Sequence, residues 1–205
     1  YMKDLMCVVK YAQRNQDTFF DVFVKVNGTI QRKTEHLTNV FDQYNKKGFI
    51  KGDAFHWRMH YINSFSDNRK YYYDNMMRIL RSKKSKVVIA DKILELFLEA
   101  DGLGLAKASF LALLSTGMNE FSCLDSNLLK WNGLDPSITN YNKKCKNKDK
   151  LKIVRKNYSS VVKKMGGGWE NYIVWCNGIG STSKKFIDGK QVSSYHPVWF
   201  TREAR

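Results

Sequence analysis

The sequence predicts a mostly α-helical protein that forms a single helical domain over residues 1–205. Only two prolines occur in the 205 residues, which favours long helices over a fold of many short strands. Hydrophobic residues make up 43% and aromatic residues 14% of the chain, which is enough to build a core and argues against disorder. Apolar residues also recur at helical spacing along most of the chain.

The first part of the chain is predicted to form several amphipathic helices. Residues 1–24 carry apolar side chains at mixed spacing and are expected to form one helix or two, followed by a turn at Asn27-Gly28. Polar or glycine-containing breaks separate the later segments. These segments are Thr34–Tyr44, Lys51–Phe65 and Tyr71–Arg81.

The central segment, residues 87–135, combines two apolar helices with a tight turn. Val87–Glu99 is expected to be helical, and Asp101–Gly104 forms the turn. A second helix is predicted over Leu105–Thr116, and Gly117 ends it. Asp125 opens or precedes a further short helix.

The C-terminal segment, residues 141–205, is basic and aromatic. A helix is expected over Leu151–Met165, a break at Gly166–Gly168, and a short aromatic helix over Trp169–Ile179. No strand is predicted there.

The charge of the chain indicates an anionic partner. Lysine and arginine number 35 against 19 acidic residues, a net charge of +16. This excess favours nucleic acid first and an acidic membrane surface second. The basic segment after Tyr141 supplies candidate phosphate contacts in Lys143, Lys144 and Lys146. No obligate protein partner is indicated.

Several classes of protein are disfavoured. No apolar run is long enough to span a membrane, and residues 1–14 include charges that a signal peptide lacks. The four cysteines are scattered, so we expect reduced thiols in a cytoplasmic protein. His56 and His60 share a helix face, but Trp57 follows His56 where a zinc protease needs Glu. We expect no metal and no cofactor.

The turn Gly102-Leu103-Gly104 carries the functional argument. Two glycines allow backbone amides to approach a phosphate without a Cβ in the way. The helix that follows directs its positive N-terminus at the same phosphate. Such an element holds a DNA backbone without reading its sequence.

In these residues the chain resembles the helix-hairpin-helix DNA glycosylases of the endonuclease III-like superfamily. Gly102, Gly104 and Ala108 match the hairpin, and Asp125 after Cys123-Leu124 falls where the family places its catalytic aspartate. The resemblance implies that Gly102, Leu103, Gly104, Ala106 and Lys107 contact DNA. It further implies a divergent, phage-encoded member that acts in the cytoplasm of its host.

The resemblance implies an enzyme that flips a modified or damaged base and cleaves its N-glycosidic bond with Asp125. Members that also cut the strand carry a Schiff-base lysine where this chain has Ala106. Lys107 is one position later, about 100° round the helix. The expected enzyme is therefore monofunctional, and Lys107 is the nearest candidate for a catalytic amine.

Alternatives remain for each of these assignments. Asp125 also suits a helix N-cap, and the glycine turn also suits a plain helix connection. Trp57 and Tyr72 are candidates to sandwich a flipped base, or else they pack in the core. The same fold also suits an enzyme that modifies a hypermodified pyrimidine in phage DNA, or a basic DNA-binding module without catalysis.

Overall fold

The computed structural model describes residues 2–28, 56–139, 148–174, 184–187 and 190–193. Within these ranges the chain is mostly helical, as predicted. The helices are α1 (Met2–Ala12), α2 (Gln16–Gly28), α3 (His56–Asp67), α4 (Arg69–Leu80), α5 (Lys86–Glu99), α6 (Leu105–Thr116), α7 (Ser126–Trp131), α8 (Lys148–Lys164) and α9 (Gly168–Val174), with a 3₁₀ turn at Pro136–Thr139.

The first segment forms two helices because a polar cap separates them. The Asn15 side chain accepts hydrogen bonds from the backbone N–H groups of Asp17 and Thr18 at 3.0 and 2.9 Å. This cap starts α2 immediately after α1 has ended. The predicted turn at Asn27-Gly28 coincides with the end of α2, which includes both residues.

The break between α3 and α4 is shorter than the polar run at residues 66–70 predicts. Only Asn68 separates the two helices. Polar side chains satisfy the carbonyl groups at the end of α3: the Asn68 amide donates to the Ser64 carbonyl, and the Arg69 guanidinium donates to the Ser66 carbonyl, both at 2.8 Å. The helices therefore follow each other without a loop.

Helix α6 lies at the centre of the core. Residues 108–115 of this helix are all buried, and α6 contacts α1, α2 and α5. A helix that is apolar on every side needs neighbours on every side. Aromatic rings pack between α2, α3 and α4, where Phe23 and Tyr72 both stack on Phe65, with ring centroids 3.5 and 4.5 Å from the Phe65 ring.

The C-terminal segment includes one antiparallel hairpin that the sequence analysis did not predict. Strand β1 (Lys184–Ile187) pairs with β2 (Lys190–Ser193), with Lys184 opposite Ser193 and Ile187 opposite Lys190. The sequence between the strands is Asp188-Gly189, a pair typical of two-residue hairpin turns. The Asp188-Gly189 pair was therefore the sequence signal from which this hairpin could have been predicted.

Candidate functional site

The predicted hairpin lies between α5 and α6 and is fixed by Leu103. The Leu103 side chain is 3% exposed, whereas Gly102 and Gly104 on either side are exposed. Burial of the leucine anchors the turn on the core. The two glycines consequently lie at the surface, as phosphate binding requires.

The two glycines have different structural roles. Gly102 has a φ of +79°, and a Cβ built on it would lie 2.7 Å from Cγ of Tyr61. This position needs glycine for both its backbone conformation and its contact with the ring. Gly104 has a φ of −91°, and a Cβ there would meet nothing within 4 Å. Of these two glycines, Gly102 is required by packing, whereas Gly104 could carry a side chain without a steric clash.

The N-terminus of α6 presents backbone donors. Gly104 occupies the N-cap position in an extended conformation, and no described side chain caps the helix. The first helical hydrogen bond runs from the Ala108 N–H to the Gly104 carbonyl at 2.9 Å. The amides before Ala108, including that of Ala106, precede the first hydrogen bond of the helix and point toward its N-terminus. The side chains of Ala106 and Lys107 are partly exposed.

The charge around the hairpin is mixed. Lys107 is the third helical residue, and its Nζ lies 5.6 Å from the centroid of the Phe110 ring. Glu99 and Asp101, just before the hairpin, are exposed carboxylates. Attraction for an anion at this turn must therefore come from the α6 amides and Lys107, against two nearby negative charges.

Asp125 lies at the start of α7 and caps it. One carboxylate oxygen, Oδ1, accepts a hydrogen bond from the Leu128 N–H at 2.8 Å, and the side chain is partly exposed. The N-cap interpretation of Asp125 is thus confirmed. Capping occupies only part of the hydrogen-bonding capacity of a carboxylate, so it does not conflict with a chemical role.

The charges of Lys107 and Asp125 both act on the buried thiol of Cys123. Burial raises the pKa of this thiol to about 11; the charge of Lys107 lowers it, and that of Asp125 raises it further. Both side chains are therefore close enough to Cys123 to influence its ionisation. Charges from α6 and from the start of α7 thus both act on Cys123, although Lys107 and Asp125 are 18 positions apart in sequence.

Tyr158 of α8 holds the segment that leads to Asp125, and sequence reasoning missed it. Its buried hydroxyl donates to the Ser122 carbonyl and accepts from the Leu124 N–H at 3.2 Å. The Ser122 N–H in turn donates to Oγ of Ser109 on α6 at 2.9 Å. Burial raises the pKa of Tyr158 above its usual range. The segment is thus fixed between α6 and α8.

Of the two residues predicted to line a base pocket, the structure describes the side chain of Tyr72 but not that of Trp57. Tyr72 is 8% exposed and stacks on Phe65. Burial, followed by the charge of Glu99, raises the pKa of Tyr72 to about 12. This placement favours the core-packing alternative. Trp57 belongs to α3, but its side chain lies outside the described residues.

The predicted phosphate contacts after Tyr141 cannot be placed in the fold. Lys143, Lys144 and Lys146 fall between the described ranges. Within those ranges, no three His, Cys, Asp or Glu side chains converge as metal ligands would. No described helix is long and apolar enough to cross a membrane.

Comparisons with protein-family models, with curated proteins and with solved structures find no match to this chain.

Proposed function

We propose that the protein is a DNA-binding enzyme of the helix-hairpin-helix glycosylase type, with the hairpin at Gly102–Gly104 and with Asp125 as its catalytic carboxylate. The observation that carries the proposal is the contact between α6, which has an exposed and uncapped N-terminus, and the segment that leads to Asp125, where the Ser122 N–H donates to Oγ of Ser109 at 2.9 Å. The proposed anion-binding group thus belongs to α6, and the proposed chemical group follows a segment that is hydrogen-bonded to this helix.

The hairpin would hold a phosphate of the DNA backbone. The amides at the start of α6 lack helical partners, and Gly104 leaves open space in front of them. Partial positive charge at a helix N-terminus adds to the charge of Lys107. These contacts do not depend on base sequence, so the proposed binding to unmodified duplex is strong at low salt and unselective.

Asp125 would act on the sugar of an extruded nucleotide. As the bond between C1′ and the base nitrogen breaks, positive charge develops on the sugar, and a nearby carboxylate stabilises it. Water then adds its oxygen to C1′, with Asp125 orienting the water or taking its proton. The departing base takes up a proton, which completes a hydrolysis that needs no cofactor.

The capping hydrogen bond of Asp125 favours one alternative, a DNA-binding module without catalysis. In that case the carboxylate serves only to start α7. A base-modifying enzyme on the same fold would use Asp125 as a base toward an incoming amine. The three functions differ in the product that they leave: a free base, an altered nucleotide, or unchanged DNA.

Replacement of Asp125 by Asn tests the proposal. Asn caps a helix as well as Asp does, but it lacks the charge that stabilises the sugar cation. We expect turnover to fall by about 10² or more, with nearly unchanged melting temperature and DNA affinity. Mass spectrometry of released bases and of nucleosides measures the product, on DNA from the source of the protein and from an unmodified host.

Asp135→Asn is the matched control. Asp135 is exposed and accepts a hydrogen bond from the Ser137 N–H at 2.8 Å, so it makes the same kind of cap just beyond α7. This variant should retain full activity. Equal activity in both variants would show that Asp125 serves only as a helix N-cap. Loss of folding in Asp125→Asn alone would show that its charge is needed for the structure. Base release that persists in Lys107→Ala would exclude a Schiff base at Lys107.

A further inference from the structure

A groove of about 1080 Å³ opens between α5 and α8, and neither the hairpin glycines nor Asp125 belongs to its lining. Its inner end is formed by Ser109, Phe121 and Tyr158. Volumes near this size are typical of sites that bind ligands. The proposed glycosylase chemistry makes no use of this groove.

One wall of the groove is aliphatic. Val87 and Val88, in the first turn of α5, are 72% and 41% exposed, and Leu94 and Phe121 continue the apolar surface toward the interior. The exposed apolar surface of this wall comes mainly from the two valines, because Leu94 and Phe121 are only 5% and 2% exposed. Apolar side chains combined with a few charged groups are common in the lining of ligand sites.

The rim of the groove is cationic. Lys92, Lys152, Lys156 and Lys163 line it, all are exposed, and none forms an ion pair with another described residue. Three carboxylates also line the groove: Asp91 and Glu95 pair with the Arg155 guanidinium, and Glu120 is partly buried. The four lysines and Arg155 outnumber them, so the lining has a net positive charge. The lysines therefore determine the charge that a ligand meets.

Two of the cations in this region repel each other. The neighbouring Lys92 lowers the pKa of Lys84, an exposed residue just before α5 that does not itself line the groove. Two ammonium groups that repel each other would both gain from an anion placed near them. The spacing along α8 also suits a chain of anions, since Lys152 and Lys156 are about 6 Å apart along the helix axis, close to the separation of successive phosphates in a nucleic acid strand.

We propose that this groove binds an unpaired strand of DNA, with its phosphates on the lysine rim and its bases against the aliphatic wall. In a duplex the bases are stacked inside and would leave the valines without contacts. A strand with free bases can contact the lysine rim with its phosphates and the aliphatic wall with its bases, as in other grooves that bind a single strand. This site is separate from the hairpin and does not depend on catalysis at Asp125.

Binding of a fluorescein-labelled oligothymidylate to the full chain, measured by fluorescence anisotropy at low salt, tests the rim. We expect the double variant Lys152→Glu/Lys156→Glu to bind at least about 10-fold more weakly. The control is Lys130→Glu/Lys164→Glu, which changes the net charge equally at two exposed lysines outside the groove. Equal losses in both variants would overturn the proposal, because they would indicate charge alone.

The apolar wall has its own matched pair. Val88→Asp places a carboxylate in the groove. Ile153→Asp places one on α8 outside the groove lining, at a residue that is 59% exposed. We expect about a 10-fold loss for Val88→Asp and little change for Ile153→Asp. Both sites are exposed, so both variants should keep the wild-type melting temperature. No loss in Val88→Asp would overturn contact between bases and the wall.

Two further measurements separate this proposal from others. Polyglutamate that displaces the oligothymidylate at equal charge concentration would show that the groove takes acidic polypeptides, and the proposal would be wrong. Gly104→Ala should weaken binding of duplex DNA and leave oligothymidylate binding unchanged. Failure of the hairpin proposal and failure of the groove proposal thus give different results.

Discussion

Alanine at the two hairpin glycines should separate stability from DNA binding. At Gly102 the left-handed backbone conformation costs a residue with a Cβ about 1–2 kcal/mol. The added methyl would also lie 2.7 Å from Cγ of Tyr61, and such overpacking costs about 1–3 kcal/mol. The sum, about 2–5 kcal/mol, corresponds to a melting temperature lower by roughly 5–15 °C in a chain of this size.

At Gly104 the same substitution should have little effect on stability. The backbone conformation suits alanine, and nothing lies within 4 Å of the new methyl. Alanine is the poorer N-cap by up to about 1 kcal/mol, whereas a less flexible unfolded chain returns about 0.4–1 kcal/mol. We expect a melting temperature within about 3 °C of wild type. The methyl would nevertheless lie at the N-terminus of α6, where the proposed phosphate contact is made, so affinity for duplex DNA should fall about 10-fold.

Thermal melts followed by circular dichroism give the stability of each variant, and anisotropy of a labelled duplex gives its affinity. If Gly104→Ala binds duplex as wild type does, the amides of α6 do not contact phosphate, and the hairpin is only a connection between helices. If Gly102→Ala melts with wild type, the contact between Gly102 and Tyr61 is not what requires glycine.

Two further predictions concern the segment before Asp125. Tyr158→Phe leaves the Ser122 carbonyl and the Leu124 N–H buried without their partner, which should cost about 1–3 kcal/mol in a denaturant titration; an unchanged midpoint would contradict the role of the hydroxyl. The raised pKa of Cys123 predicts alkaline instability: the folded state holds the thiol proton more tightly than the unfolded state, so stability is complete below about pH 9 and declines toward pH 11. This difference in the pKa of Cys123 between the folded and unfolded states corresponds to about 3 kcal/mol of folding free energy. Melting temperatures across this range should fall less steeply in Cys123→Ala, and equal slopes would exclude the thiol as the cause.

Local signals in the sequence were sufficient to predict the hairpin and its helices. The bounds of α6, Leu105–Thr116, are those predicted, because a dense apolar run ends at Gly117, whose left-handed conformation closes the helix. The capping role of Asp125 was also predictable, since a cap depends on the few residues that follow it. Each of these features is determined within about one helical turn of the residue concerned.

Features that depend on distant parts of the chain were not predictable. Tyr158 lies in a basic helix whose composition suggests a solvated surface, yet its hydroxyl contacts a segment 34 residues away in sequence. The burial of Tyr72 likewise depends on Phe65, a residue of another helix. The groove arises from α5 and α8 together, and only the positive charge of α8 was visible in advance. Such contacts are a consequence of tertiary packing.

Helix α6 connects the parts of the proposed site. Its first turn carries the uncapped amides and Lys107, and one turn later Ser109 binds the segment that ends at Asp125. Because this helix is buried on nearly all sides, it cannot shift without disturbing α1, α2 and α5. The spacing between the amides that we propose to bind phosphate and the segment before Asp125 is therefore held by the core. A rigid spacing of this kind is what a catalyst needs to hold a nucleotide by its phosphate and act on its sugar.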